Sequence, residues 1–182
     1  MRRFFATTAF CAVALSGALT TAPAHAALET GTHAPDFSAS ASLGGHEFTY
    51  HLADALKTGP VVLYFYPAAF TKGCTIEAHE FADAIPDFKA QGATVIGISM
   101  DPIDKLNRFS VSECRSVFPV AADPTGKITL SYAAKMPLLH MASRTSYVIA
   151  QDGHIAMSYA SMSPDEHVSR ALAAVKALKQ HP

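Results

Sequence analysis

Cys74 stands between a short β-prone run and a helical repeat, which places its thiol at a loop-to-helix junction. A helix N-terminus presents free backbone N–H groups and about half a positive charge. Both favour a thiolate over a thiol. A free thiol titrates near 8.5, so about a few per cent is ionised at pH 7. Lowering that value by about two takes about 2.7 kcal/mol of preference for the anion. The helix end supplies part of it, and a nearby cation such as an arginine can supply the rest. The same position also suits a small buried apolar residue. Gly73, which allows close backbone approach, and Thr71, three residues upstream, move the reading toward chemistry.

A second thiol, Cys114, lies forty residues on. It follows Ile103 by eleven residues, which returns it to nearly the same helix face. That spacing fits ordinary core packing. A disulfide needs Cα atoms within about 7 Å, and a cysteine at the far end of that helix reaches Cys74 only through local unfolding.

The elements that must position these residues follow from the pattern. Val61 to Tyr66 is a continuous β-prone run, short enough for a strand buried on both faces. Pro67 ends it. Ala78, Phe81, Ala82, Ile85 and Phe88 recur at helical spacing, with Pro86 expected to kink or break that helix. Thr94 to Ser99 is a second buried strand. Asp101 followed by Pro102 reads as an N-cap and first helical position, opening a helix to about Glu113. Phe118-Pro119-Val120 is a short apolar stretch, and Asp123 to Gly126 a turn into another helix. Thr145 to Ala150 is a strand, and Asp152-Gly153 turns it into Ile155 to Tyr159. Ser163-Pro164-Asp165-Glu166 has the form of a capping box before the last helix. Residues 27–47 read as a loop or short hairpin turning at Gly44-Gly45. Helices between buried strands imply parallel crossovers, and the terminal hairpin adds antiparallel strands. The expected architecture is α/β: a thioredoxin-like fold with a mixed central sheet flanked by helices, in a single domain.

Composition sets the outer bounds. The chain has 182 residues, 49% of them hydrophobic and 16% charged, with a net charge of −1. That is a globular chain with no basic field for nucleic acid or an anionic surface. No apolar run reaches the 18 or so residues of a membrane span. Residues 1–26 carry Arg2 and Arg3, an apolar stretch from Phe4 to Leu19, and Ala24-His25-Ala26 at the end. This is a secretory signal pattern, with cleavage expected after Ala26. The match of Arg2-Arg3-Phe4-Phe5 to a twin-arginine signal is short, so ordinary secretion is the expectation. The mature chain, residues 27–182, then carries a net charge of −3 and keeps only Cys74 and Cys114. Export to a periplasmic or extracellular space puts this pair in an oxidising compartment, as a structural disulfide or a redox couple.

Pro67-x-x-x-Thr71-x-x-Cys74 resembles the peroxidatic motif of peroxiredoxins. The wider string Phe65-Tyr66-Pro67 to Thr71-x-Gly73-Cys74-Thr75-x-Glu77-Ala78 resembles the Q-type, or bacterioferritin comigratory protein type, group of the alkyl hydroperoxide reductase/thiol-specific antioxidant family. The resemblance runs from Ala34-Pro35-Asp36-Phe37 through Arg144-x-Ser146-Tyr147-Val148-Ile149 to the final helix, nearly the whole mature chain. It implies a thiol-dependent peroxidase acting on hydrogen peroxide and small alkyl hydroperoxides. Cys74 would be the nucleophile, passing through a sulfenic acid. Thr71 and the backbone N–H groups near Gly73 and Cys74 would hold the peroxide oxygens. Arg144 would stabilise the thiolate and the developing charge, Pro67 would shield the site, and Glu77 would orient Arg144. No metal or organic cofactor is implied. Many Q-type members carry a resolving cysteine five residues after the first; here that position is His79, which leaves Cys114 as the intramolecular partner or an external thiol in its place. The implied reductant is a thioredoxin-like donor, and the implied state is a monomer.

Two rival classes remain. Copper binding would use Cys74, His79 and His140, but the chain lacks the second nearby cysteine of that pattern. A dithiol oxidoreductase would show C-x-x-C, and none occurs. The apolar stretch Met136 to Met141, before Arg144, reads either as a wall of the peroxide site or as a loop packed on the core.

Overall fold

The computed structural model describes residues 27–180. The expected signal, residues 1–26, lies outside the described residues. The elements run β1 (Ser38–Leu43), β2 (His46–His51), α1 (Leu52–Leu56), β3 (Val61–Phe65), α2 (Lys72–Ala90) and β4 (Thr94–Ser99). There follow α3 (Ile103–Ser112), β5 (Val120–Ala122), α4 (Lys127–Ser131), β6 (Thr145–Ile149), β7 (Ile155–Ala160) and α5 (His167–Gln180). Among the described residues, no helix is long and apolar enough to cross a membrane.

One seven-stranded mixed sheet takes the order β2-β1-β5-β4-β3-β6-β7. β3, β4 and β5 are mutually parallel, as the intervening helices require. β6 pairs antiparallel with β3, Phe65 opposite Thr145, which sets the start of β6 beside the end of β3. β3 is buried along its whole length. Its alternation sends Val62 and Tyr64 into one core with Phe81, Phe88 and Cys74, and Val61, Leu63 and Phe65 into the other with Tyr132 and Tyr147. Helices α2 and α5 pack on the first face. The mixed sheet and flanking helices are the architecture expected.

Four local expectations change. Residues 38–51 form a full hairpin that joins the sheet through β1 and β5, with Gly44 and Gly45 both left-handed at its turn. Pro86 does not break α2, which runs unbroken to Ala90. Its ring lies on the exposed face, while Phe81, Ile85 and Phe88 anchor the opposite face in the core. Their burial outweighs one lost hydrogen bond. α3 begins at Ile103 with Pro102 as its N-cap, because the Asp101 carboxylate is engaged elsewhere. The capping box at 163–166 does not form. Glu166 adopts φ 68, which no right-handed helix admits, and α5 starts at His167.

Phe81 is fully buried and stacks on Tyr64 at 4.3 Å between ring centres. Phe81→Ala should therefore cost about 3–5 kcal/mol of stability. Urea unfolding checks this, and a midpoint within error of wild type would refute the packing described.

Candidate active site

The chain leaves β3, bends through residues 67–70 and enters α2 at Thr71. Phe70 sits in the left-handed region at φ 67 and packs edge-on against Phe109. This loop is held down by Asp101. One carboxylate oxygen accepts the Ala69 N–H at 2.7 Å and the Ser99 hydroxyl at 3.1 Å. The other accepts from Lys105 at 2.7 Å. Reading Asp101 as a cap missed this role; the available signal was its place just past the C-terminal end of a parallel strand, where α/β sites gather.

Thr71 is the N-cap of α2, yet its side chain makes no cap bond. Its hydroxyl donates to the Ala68 carbonyl at 2.9 Å. The N–H groups of Lys72, Gly73 and Cys74 therefore find no acceptor among the described residues. They form a cluster of donors at the positive end of a nineteen-residue helix. The Thr71 oxygen keeps its lone pairs free to accept a bond from a hydroxyl.

Cys74 is buried in the first turn, only 1% exposed. Arg144, the residue just before β6, aims its Nη2 at the Cys74 sulfur from 3.6 Å. The same guanidinium donates from Nη1 to Glu77 Oε2 and from Nε to the Met162 carbonyl at 3.1 Å. Burial alone would make Arg144 easier to deprotonate. The charges of Glu77 and Cys74 outweigh that and hold it above its ordinary value. Burial pushes the Glu77 carboxyl up, against the pull of the Arg144 charge and hydrogen bond. A Cβ at Gly73 would stand 3.0 Å from Arg144 Nη2, so glycine is what lets the guanidinium close over the helix start.

The structure thus joins Cys74, Glu77, Gly73 and Arg144, with Thr71 at the same helix end. Pro67 is half-buried where β3 gives way to the loop. Cys114 is a free, fully buried thiol in the same core as Cys74, just past the end of α3. Burial and the neighbouring Glu113 push it well up. His79 turns to Glu113 at 3.0 Å, and His140 bonds the Pro124 carbonyl at 3.1 Å. Among the described residues no group of three His, Cys, Asp or Glu is arranged to hold a metal. Met136 to Met141 forms a small hairpin closed at Lys135 and Ala142. Leu138 at its tip stands wholly in solvent, so it walls no site.

This is the apparatus of a nucleophilic thiol: an enclosed sulfur, a helix end rich in free donors, and a permanent cation in contact. The AhpC/TSA family model matches residues 30–158. The chain belongs to the AhpC/TSA family. It is a peroxiredoxin, a thiol peroxidase of the oxidoreductase class. Peroxiredoxin Q of Oryza sativa, a chloroplast protein, is 31% identical over 94% of this chain and 84% of its own length. The crystal structure of peroxidoxin BcpB from Mycobacterium tuberculosis is 34% identical, with a TM-score of 0.76 over 82% of this chain and 97% of that one. Peroxiredoxin Q of Xanthomonas campestris, 24% identical, shares the fold at a TM-score of 0.69 over 77% of this chain and 90% of its own.

Two substitutions separate the contributions within this peroxiredoxin. Arg144→Met should lower kcat/KM for hydrogen peroxide by about a hundredfold or more. Gly73→Ala should lower it by roughly tenfold, because the added methyl displaces a guanidinium held on three sides. Stopped-flow peroxide consumption reads both. A Gly73→Ala enzyme at the wild-type rate would mean the close approach of Arg144 is dispensable.

Proposed function

We propose that this protein reduces hydrogen peroxide and small organic hydroperoxides through Cys74, in an exported mature chain beginning at Ala27. The contact between Arg144 and the Cys74 sulfur carries the reading. The Cys74 thiolate attacks the terminal peroxide oxygen. The S–O bond forms as the O–O bond breaks, leaving Cys74 as a sulfenic acid. The departing oxyanion takes a proton from water and leaves as water or an alcohol. Arg144 and the free N–H groups at 72–74 stabilise the charge that builds on the two oxygens. Thr71 accepts the peroxide O–H, and Glu77 holds Arg144 in line. Pro67 shields the sulfenic acid at the strand end. The enclosure of Cys74 favours small substrates.

The sulfenic acid is then attacked by the Cys114 thiol, forming the Cys74–Cys114 disulfide and releasing water. A thioredoxin-like dithiol reduces that disulfide, becoming oxidised itself, and restores both thiols. Two features support Cys114 as the partner that opens to meet Cys74. It is followed by Arg115 and Ser116, both left-handed at φ 50 and 57, a strained backbone costing about 1–3 kcal/mol per residue. It is also flanked by two contacts to α2, Glu113 with His79 and Arg115 with Asp83, which clasp the segment closed. Opening this clasp exposes the thiol without unfolding the sheet.

Intact mass after one equivalent of hydrogen peroxide tests the cycle, with free thiols alkylated. The expected product has the mass of residues 27–182 less two hydrogens, no alkylation, and one Cys74–Cys114 cross-linked peptide. One to three added oxygens on Cys74, with Cys114 still alkylated, would replace the disulfide by an external thiol. A mass retaining residues 1–26 would refute export with cleavage. Sedimentation of the same sample should give a single chain. Asp83→Asn combined with Glu113→Gln should speed disulfide formation about two- to fivefold, since two such surface pairs together contribute about 0.4–1 kcal/mol. Unchanged resolution kinetics would remove the clasp from the mechanism.

A further inference from the structure

A buried histidine lies beside this site and no step above uses it. His167, the first residue of α5, has no solvent exposure. Its Nε2 lies 3.0 Å from the Ser161 carbonyl, which can only accept, so Nε2 carries the ring proton. Its Nδ1 lies 2.8 Å from the Ser146 hydroxyl and accepts from it. Burial lowers His167 to about 4, and the Arg144 charge adds to that, so the ring is neutral at pH 7.

Both bonds bear on Arg144. Ser146 lies two residues beyond Arg144, within β6. The Ser161 N–H donates to the Arg144 carbonyl at 3.2 Å, and the next residue, Met162, supplies the carbonyl that holds Arg144 Nε. His167 therefore ties together the two segments that grip this arginine. Its bare Nδ1 also lies 3.8 Å from Glu77 Oε1, a buried oxygen with no hydrogen bond among the described residues. A neutral ring with its proton on Nε2 offers Glu77 no donor, so Arg144 is the cation that Glu77 serves. The Tyr159 ring packs on the His167 ring in a T-shaped pair, 4.7 Å between ring centres, and Arg170, itself paired with Glu166, lies over Tyr159.

We propose that His167 is a positioning residue of the peroxidatic site: its two ring bonds hold the 161–162 turn, through the Ser161 carbonyl, and Ser146 so that Arg144 stays on Cys74, and its unprotonated Nδ1 leaves Glu77 to Arg144. The inference rests on the reading of Cys74 as the attacking thiolate.

His167→Phe keeps a flat buried ring and removes both nitrogens. Iodoacetamide alkylation of Cys74 at pH 7, in a Cys114→Ser background, should slow by about tenfold, and kcat/KM for hydrogen peroxide should fall in step. His167→Gln, whose amide can still donate to Ser161, should recover most of both. A folded His167→Phe protein with wild-type alkylation and turnover would overturn the proposal. If that variant does not fold, Ser146→Ala takes its place by removing the Nδ1 partner alone. It should slow alkylation by about threefold, and an unchanged rate would overturn the proposal. Wild-type protein that alkylates readily but consumes no peroxide would overturn the peroxidase reading, while the alkylation series still decides the role of His167.

Discussion

A guanidinium buried beside a sulfur is the constraint around which the molecule is arranged. Arg144 is 4% exposed, and a charge taken out of water is tolerated only when its donors find acceptors of matching charge or dipole. Here those acceptors come from two places distant in the chain: the start of α2, which carries the Cys74 sulfur and Glu77, and the Met162 carbonyl after β7. Each must be delivered by the fold. The antiparallel pairing of β6 with β3 brings Arg144 next to the strand that launches the Cys74 loop. The packing of α5 against the same face holds the turn that carries Met162.

The same constraint explains how the helix end stays reactive. A thiolate is stabilised by donors it does not have to share. Thr71 occupies the N-cap but gives its hydroxyl proton to Ala68, and among the described residues no side chain bonds the first N–H groups of α2. Asp101, which the local pattern would use to start α3, is turned to the Cys74 loop and its Ala69 N–H. Local helix chemistry is given up at two helix starts, and the site loop gains a fixed anchor and a set of free donors.

Rigidity at Arg144 contrasts with the far end of α3. Cys114 is enclosed by apolar packing and followed by two left-handed residues. Its neighbours Glu113 and Arg115 reach across to α2 through side chains that are partly or largely in solvent. Such contacts are weak and separable. The two thiols therefore sit in segments of different stability, one held by a buried charge network and one by a surface clasp.

Much of the fold was legible along the chain, because strand and helix periods write burial directly into residue order. β3, β4, β6, the β7 hairpin and the body of α2 fall where the pattern puts them. Cys74 at a helix start was legible for the same reason, as was the motif from Pro67 to Glu77. Other features were not. The unbroken α2 across Pro86, the late start of α5 and the engagement of Asp101 depend on partners that local preference does not contain. His167 gave no signal, since a histidine at a helix start reads as a surface residue until the turn at 161–162 and Ser146 close around it. The sequence by itself determined the order of elements, the candidate nucleophile and the family resemblance, because these rest on spacing along one chain. Only the tertiary structure decided what holds Arg144, since its acceptors meet through sheet pairing and helix packing, which are long-range contacts.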